Sequence, residues 1–246
     1  MELDKLVKIS KSIIFHAFDE YAIHLAYEIG NVGVVASGGK DSTVMLSLVM
    51  DVVRECGFKQ PKVLFCDPVP FEENREFCKR LAKHFGLWNY EFYEDYSNKY
   101  LEEVKVGVDK VRCCWYLKIK ALEDFILNND IKALLVGIRW DEHPARSNEH
   151  YFRRMGTHWR VHPMLHWRWV DVWEYIKREG LPVNPLYFKG YLSLGCKPCT
   201  TVVRPEGFKS VDEIISFIKS GKVKERSGRD IDKERVMERL RRLGYF

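Results

Sequence analysis

A short apolar run, Gly33-Val34-Val35-Ala36, leads into Ser37-Gly38-Gly39-Lys40-Asp41-Ser42. A helical pattern follows at once, with Val44, Met45, Leu48, Val49 and Val52 on one side. No other segment restricts the fold as strongly. Two adjacent glycines let the backbone turn sharply and present N–H groups without Cβ obstruction. The following helix directs its amino end at the same place, which favours an anion. Lys40 can neutralise phosphate charge, and the hydroxyls of Ser37 and Ser42 can donate hydrogen bonds. The spacing matches neither the longer Walker A loop nor Gly-x-Gly-x-x-Gly. The segment therefore predicts a buried strand, a phosphate-cradling loop and a helix.

The remaining chain alternates in the same way. Helical spacing covers Lys5 to Glu28, Phe71 to Phe85, Cys114 to Asn128, Val170 to Arg178, Val211 to Lys219 and Asp232 to Leu243. Further strands are predicted at Lys62 to Cys66, Trp88 to Phe92 and Ala133 to Val136. Gly137 to Trp159 reads as a polar loop over a site, and Asn184 to Lys209 as an ordered loop held by more than core packing. The expected fold is α/β: a parallel twisted sheet with helices on both faces, a C-terminal cysteine-containing loop and a helical tail. Residues 1–185 are read as the nucleotide-binding domain, and 186–246 as an extension packed on it. Ligands of such sheets sit at the carboxyl ends of the strands, where Ser37–Ser42 lies.

Ser37-Gly38-Gly39-Lys40-Asp41-Ser42 resembles the PP-loop of the ATP pyrophosphatases, of the adenine nucleotide alpha-hydrolase-like fold. That resemblance implies ATP bound with Mg²⁺ and cleaved between the α and β phosphates, often through an adenylate. Further segments resemble one branch of those proteins. It contains the adenylyl-sulfate and phosphoadenylyl-sulfate reductases and the small subunit of heterodimeric sulfate adenylyltransferase. Phe65-Cys66-Asp67-Pro68 with Phe71-Glu72-Glu73 resembles that branch's segment near the nucleoside, with Pro68-Val69 in place of Thr-Gly. Gly137-Ile138-Arg139-Trp140-Asp141-Glu142 with Arg146 resembles its Gly-x-Arg-x-Asp-Glu…Arg loop. The resemblance implies that Lys40, Arg139 and Arg146 carry catalysis, the arginines holding sulfate or phosphate through a guanidinium fork. The tail, with Arg226 and Arg229 in Glu225-Arg226-Ser227-Gly228-Arg229 and then Arg242-Leu243-Gly244-Tyr245-Phe246, resembles the end of the adenylyltransferase small subunit.

Cys113-Cys114 precedes a helix, and Cys196-Lys197-Pro198-Cys199 lies in the Gly/Pro loop. A Cys-x-x-Cys pair alone reads as a redox dithiol, a zinc half-site, a cluster half-site or chance. Adjacent cysteines are unusual in a tetrahedral zinc site, whereas four thiolates fit a [4Fe–4S] cluster, one per iron. The pair plus Cys-x-x-Cys within Gly190 to Thr200 resembles the cluster site of assimilatory adenylyl-sulfate reductases. Those reductases attack sulfur with a cysteine near the C-terminus in a Glu-Cys-Gly-x-His segment, and here no cysteine follows Cys199.

The leading expectation is thus an ATP-using enzyme of sulfur metabolism, in which sulfate or a thiolation acceptor attacks the α-phosphorus and pyrophosphate leaves. The alternatives are a reductase releasing sulfite from adenylyl sulfate or its 3′-phosphorylated form with a non-standard thiol, and a nucleotide-binding subunit of a nucleic-acid thiolation complex. The partners these readings imply are a GTPase large subunit, a cysteine desulfurase or a thiol donor; a homo-oligomer is also compatible. A net charge of +5 suits an anionic small molecule and tolerates nucleic acid without demanding it. Base stacking on His158-Trp159-Arg160 to Trp169 is a weaker reading than packing. Seven cysteines and no export or membrane segment point to the cytoplasm.

Overall fold

A computed structural model describes residues 2–19 and 32–245. Six strands form one sheet: β1 (Val32–Ala36), β2 (Lys62–Phe65), β3 (Tyr90–Phe92), β4 (Ala133–Val136), β5 (Phe152–Met155) and β6 (His158–Val161). Their order is β3-β2-β1-β4-β6-β5. Every neighbouring pair is parallel except β5–β6, which closes one edge as an antiparallel hairpin. The α/β class with a mostly parallel sheet is as the sequence implies.

Side-chain alternation divides the central strands between two cores. Val32, Val34 and Ala36 of β1 and Ala133 and Leu135 of β4 enter the larger core. That core takes side chains from α1 (Leu3–His16), α2 (Lys40–Cys56), α3 (Glu72–Phe85), a helix at Trp169–Glu179 and another at Val211–Lys219. Val35, Leu134 and Val136 face the other way, onto Ala121, Leu122, Phe125 and Ile126 of the helix Ala121–Asn128. Strands buried on both faces explain why β1 and β4 read as unbroken apolar runs.

Three expectations are corrected. The stretch taken as a polar loop from Gly137 to Trp159 contains β5 and the start of β6. The helix expected from Cys114 begins at Lys110, and its middle, Trp115–Lys120, winds as a π-helix. The final helix is two, Ile231–Arg235 and Met237–Arg242, broken at Val236. In the first segment, residues 20–28 lie outside the described residues. No described helix is long and apolar enough to cross a membrane.

The chain runs from β1 outward through β2 to β3, then returns to the other side of β1 for β4. The carboxyl ends of β1 and β4 therefore flank a topological switch point, where such sheets open a crevice. Ser37 follows β1 and Gly137 follows β4, so both sequence motifs meet there. Ser193, Leu194, Arg226, Arg229 and Tyr245 of the C-terminal part return to line this crevice. Thr201 N–H donates to the Gly228 carbonyl at 2.8 Å and Asp230 N–H to the Cys199 carbonyl at 3.1 Å. The Cys-x-x-Cys loop and the arginine segment 225–230 are thereby one tied unit.

Candidate active site

The loop after β1 is held from beneath. Gly38 has φ +76°, and a Cβ there would lie 2.3 Å from Asn74 Oδ1. Only glycine satisfies both demands. Asn74 Nδ2 donates to the Ser37 carbonyl at 2.9 Å, and Asn184 Nδ2 to the Gly38 carbonyl at 3.0 Å and to Asn74 Oδ1 at 2.7 Å. Lys40 N–H donates to the Tyr187 hydroxyl at 2.9 Å. Ser42 Oγ donates to the Gly39 carbonyl at 2.9 Å and lies 3.4 Å from Ser37 Oγ.

The charges around this loop form a closed network. Lys40 Nζ pairs with Asp41 at 2.7 Å and with Glu225, which arrives from the C-terminal segment. Arg139 is 0% exposed and bridges Asp41 at 2.6 Å, Glu225 at 2.5 Å and Asp141. Burial acts against the charge on Lys40, and Asp41 and Glu225 outweigh it, so its pKa rises. Arg139 does not line the cavity, and its Nε, Nη1 and Nη2 each donate to one carboxylate, of Asp41, Asp141 and Glu225.

The cavity itself lies over the loop and is narrow, about 100 Å³. Ser37, Gly39, Lys40, Asp41, Ser42, Asp67 and Gly137 line it, together with Arg146, Arg226 and Arg229. Arg146 pairs with Glu142, and Arg226 with Glu142 at 2.8 Å and Glu234 at 2.6 Å. Arg229 differs: its Nε and Nη1, like Arg146 Nε, have no hydrogen-bond partner among the described residues, although the residue is 9% exposed. Its guanidinium lies on Gly195, where a Cβ would approach to 2.3 Å. Buried guanidinium donors left over in a cavity require an acceptor, and an oxyanion supplies one.

Of three further wall residues, Lys118 escaped the sequence reading, and Tyr245 and Glu142 entered it only as members of motif segments. Lys118, inside the π-helix, pairs with Asp67 across 51 positions. Burial pushes the Asp67 carboxyl up, and the stronger pull of Lys118, with Lys233, holds it below the usual range. Tyr245 lines the cavity with its ring 5.5 Å from Lys118 Nζ and 5.1 Å from Lys233 Nζ. Glu142 is held low by Arg146 and Arg226 against the effect of burial. A π-turn beside paired cysteines is a feature often found at functional sites, but none of these pairings leaves a local signal in the sequence.

Cys113, Cys114, Cys196 and Cys199 gather next to this cavity. Cys114, Cys196 and Cys199 are buried and Cys113 partly so. They act on one another electrostatically: Cys113 is influenced by Cys114 and Cys199, and Cys196 by Cys114. Burial pushes the Cys196 thiol up to about 11 despite Lys118 and Lys233 nearby. Lys233 is 0% exposed, and its Nζ has no hydrogen-bond partner among the described residues. Such a buried ammonium beside four thiols calls for negative charge on the sulfur side. Among the described residues, no three Cys, His, Asp or Glu groups converge on a point that would chelate one ion. Cys66 and Cys78, by contrast, are fully buried with their sulfurs 3.1 Å apart.

Within the aromatic stretch Trp167 is packing, whereas Trp169 is only half-buried and lines a second cavity. Trp167 is 1% exposed and its Nε1 donates to Ser10 Oγ at 2.9 Å. His162 is buried with Nδ1 2.9 Å from the His150 carbonyl.

Fold and site together define a PP-loop nucleotide-binding protein, with its phosphate loop at the sheet's switch point and cations lining the same cavity. The chain matches the phosphoadenosine phosphosulfate reductase domain across residues 31–202. It belongs to that family, whose enzymes handle nucleotides in sulfur metabolism. An adenosine 5′-phosphosulfate reductase of Bacillus cereus is 31% identical over 210 residues, 80% of this chain and 81% of that one. One from Lysinibacillus sphaericus is 27% identical over 208 residues, 81% and 83%. Among solved structures, Candida glabrata FMN adenylyltransferase in complex with FMN and AMPCPP superposes with TM-score 0.62 at 20% identity, over 81% of this chain and 64% of that one. A phosphoadenylyl-sulfate reductase from Candida auris gives 0.56 at 16% identity, over 81% and 96%. At these identities the structural likenesses speak for the fold.

Proposed function

We propose that this chain is a sulfonucleotide reductase that takes adenylyl sulfate. The observation that carries the reading is a pair of arginines on the cavity lining. Arg146 and Arg229 keep buried guanidinium donors without acceptors, in the same cavity as the Ser37–Ser42 loop. A phosphosulfate group laid between loop and arginines gives both its oxyanion. The named activity of the bacterial relatives supports the same substrate.

In this reading a thiolate attacks the sulfur and the S–O bond to phosphate breaks. AMP leaves with the electron pair, and the sulfonyl group stays on the thiol. A second thiol then displaces sulfite and the two thiols become a disulfide, so electrons balance. Lys40 and the loop N–H groups stabilise charge on the departing phosphate. None of the described residues lining the cavity is a cysteine, so the thiol is supplied from outside them.

The four cysteines suit a [4Fe–4S] cluster. Each would ligate one iron, which needs no three groups on one point, and a net-negative cluster answers the unpartnered ammonium of Lys233. When bound, such a group supplies a delocalised negative charge beside the cavity. Lys118 and Lys233 face it, and Lys118 also holds Asp67 at the cavity wall.

A second reading stays in view because of that thiol-free lining. In it ATP and Mg²⁺ occupy the loop while sulfate or a thiolation acceptor attacks the α-phosphorus and pyrophosphate leaves. An anaerobic assay decides. Adenylyl sulfate with a dithiol should give sulfite and AMP with no need for ATP. Pyrophosphate from ATP, Mg²⁺ and sulfate, with no sulfite from adenylyl sulfate, would overturn the reductase reading and install the second.

A further inference from the structure

A second and larger cavity, about 800 Å³, opens beside the first. It lies between the 141–144 turn, the start of the helix Trp169–Glu179 and the segment 223–234. Glu142, Arg226 and Arg229 line both cavities, so the two share a wall. The reaction above uses this space only through Arg229 on the shared wall, so a ligand here and adenylyl sulfate draw on the same guanidinium.

Its chemistry follows from what is already engaged. Every carboxylate on its lining is committed to a cation. Asp141 pairs with Arg139, Glu142 with Arg146 and Arg226, Glu225 with Lys40 and Arg139, and Glu234 with Arg226. The unengaged groups are donors. Arg229 Nε and Nη1 lack acceptors, and so does the indole N–H of Trp169, among the described residues. The rest of the lining mixes apolar faces, namely Pro144, Val223, the Trp169 ring and Ile231, which is 65% exposed, with the polar His143, Lys224 and Ser227. An isolated Leu or Ile on a surface means little, but here it rims a cavity.

We infer that this cavity is a second ligand site, and that its ligand is an organic acid with an aromatic or apolar body. The acid group meets Arg229 at the wall shared with the nucleotide cavity, and the body lies along Trp169, Val223 and Ile231. Unsatisfied donors at one end and apolar faces at the other are the ordinary make-up of a small-molecule site. The inference is independent of which reaction the first cavity performs.

The test uses the full chain with ¹⁵N-labelled tryptophan and follows indole N–H resonances during titration. Trp169 is assigned by its loss in Trp169→Phe. The probes are 2-naphthoate and its neutral counterpart 2-naphthamide. Naphthoate should shift the Trp169 signal saturably, and the amide should bind about tenfold or more weaker. Ile231→Glu places a negative charge on an exposed rim position in the first turn of a helix, where acidic residues are tolerated. It should weaken naphthoate by a similar factor and leave adenylyl sulfate affinity unchanged. Equal binding of acid and amide, a silent Trp169 signal, or naphthoate unaffected by Ile231→Glu would each overturn the assignment. Failure of the sulfite assay would leave these outcomes unaltered, so the two claims fail separately.

Discussion

The carboxylate of Glu225 reaches back 185 positions to hold the ammonium of Lys40, the lysine of the phosphate loop. Both groups are buried, and the same carboxylate also takes Arg139 Nη2 at 2.5 Å. Glu225 thus occupies the charge that a ligand oxyanion would otherwise claim. Replacing it with Gln keeps a hydrogen-bonding side chain and removes the competing charge. Glu225→Gln should tighten adenylyl sulfate binding by about three- to tenfold, a gain of the order of 1 kcal/mol. Calorimetric titration of the two proteins checks this; weaker binding would mean that Glu225 orients Lys40 for the ligand and is not displaced by it.

Arg139 predicts the opposite kind of defect. It lines no cavity but neutralises three carboxylates, so Arg139→Leu leaves buried negative charge uncompensated. The expected loss is about 3–5 kcal/mol of folding stability, read by denaturant unfolding. Arg229→Ala, which breaks no ion pair seen here, should cost far less stability and fall mainly on nucleotide affinity.

Gly195 offers a gentler probe of the same arginine. A methyl group there meets the tip of the Arg229 side chain, which can swing away, and not backbone. Gly195→Ala should lower adenylyl sulfate affinity by about tenfold while changing stability by less than about 1 kcal/mol. A matched pair of titration and melting curves separates the two effects.

His162 sets an acid limit. Burial lowers its pKa to about 4 from 6.5, so the folded protein keeps it neutral while the unfolded chain takes up a proton. Stability from this group is whole above pH 6.5 and declines as pH falls from there towards 4, by up to about 3 kcal/mol. Unfolding free energies measured at pH 7 and pH 4.5 should differ less in His162→Gln than in the unaltered chain.

How far the sequence foretells all this depends on the range of each interaction. β1, its loop and α2 are legible because strand, glycine pair and helix are contiguous, and β4 because burial on both faces leaves four apolar residues in a row. The β5–β6 hairpin hides in Phe-Arg-Arg-Met and His-Trp-Arg-Val: β5 is the edge strand, where charged side chains are tolerated, and β6 carries a buried Arg160 whose Nη2 donates to the Gly244 carbonyl. The SGGKDS residues and the four cysteines announce themselves by type and spacing. Lys118 does not, and Glu142, Glu225 and Tyr245 stand in recognisable segments without their own pairings being legible, since each is an ordinary charged or aromatic residue until the fold brings it to the cavity. Arg139 is marked by a motif resemblance, but only the fold shows its pairing with Asp41, Asp141 and Glu225.

The most direct test of the site is to compare adenylyl sulfate with AMP by calorimetry, in the unaltered chain and in Arg229→Ala. The two ligands differ only in the sulfonyl group, which the proposed pose lays against Arg146 and Arg229. Adenylyl sulfate should bind at least about tenfold more tightly than AMP, and Arg229→Ala should erase most of that difference. Equal affinities in the unaltered chain, or a preference untouched by the substitution, would contradict the assignment of this cavity to a sulfonucleotide.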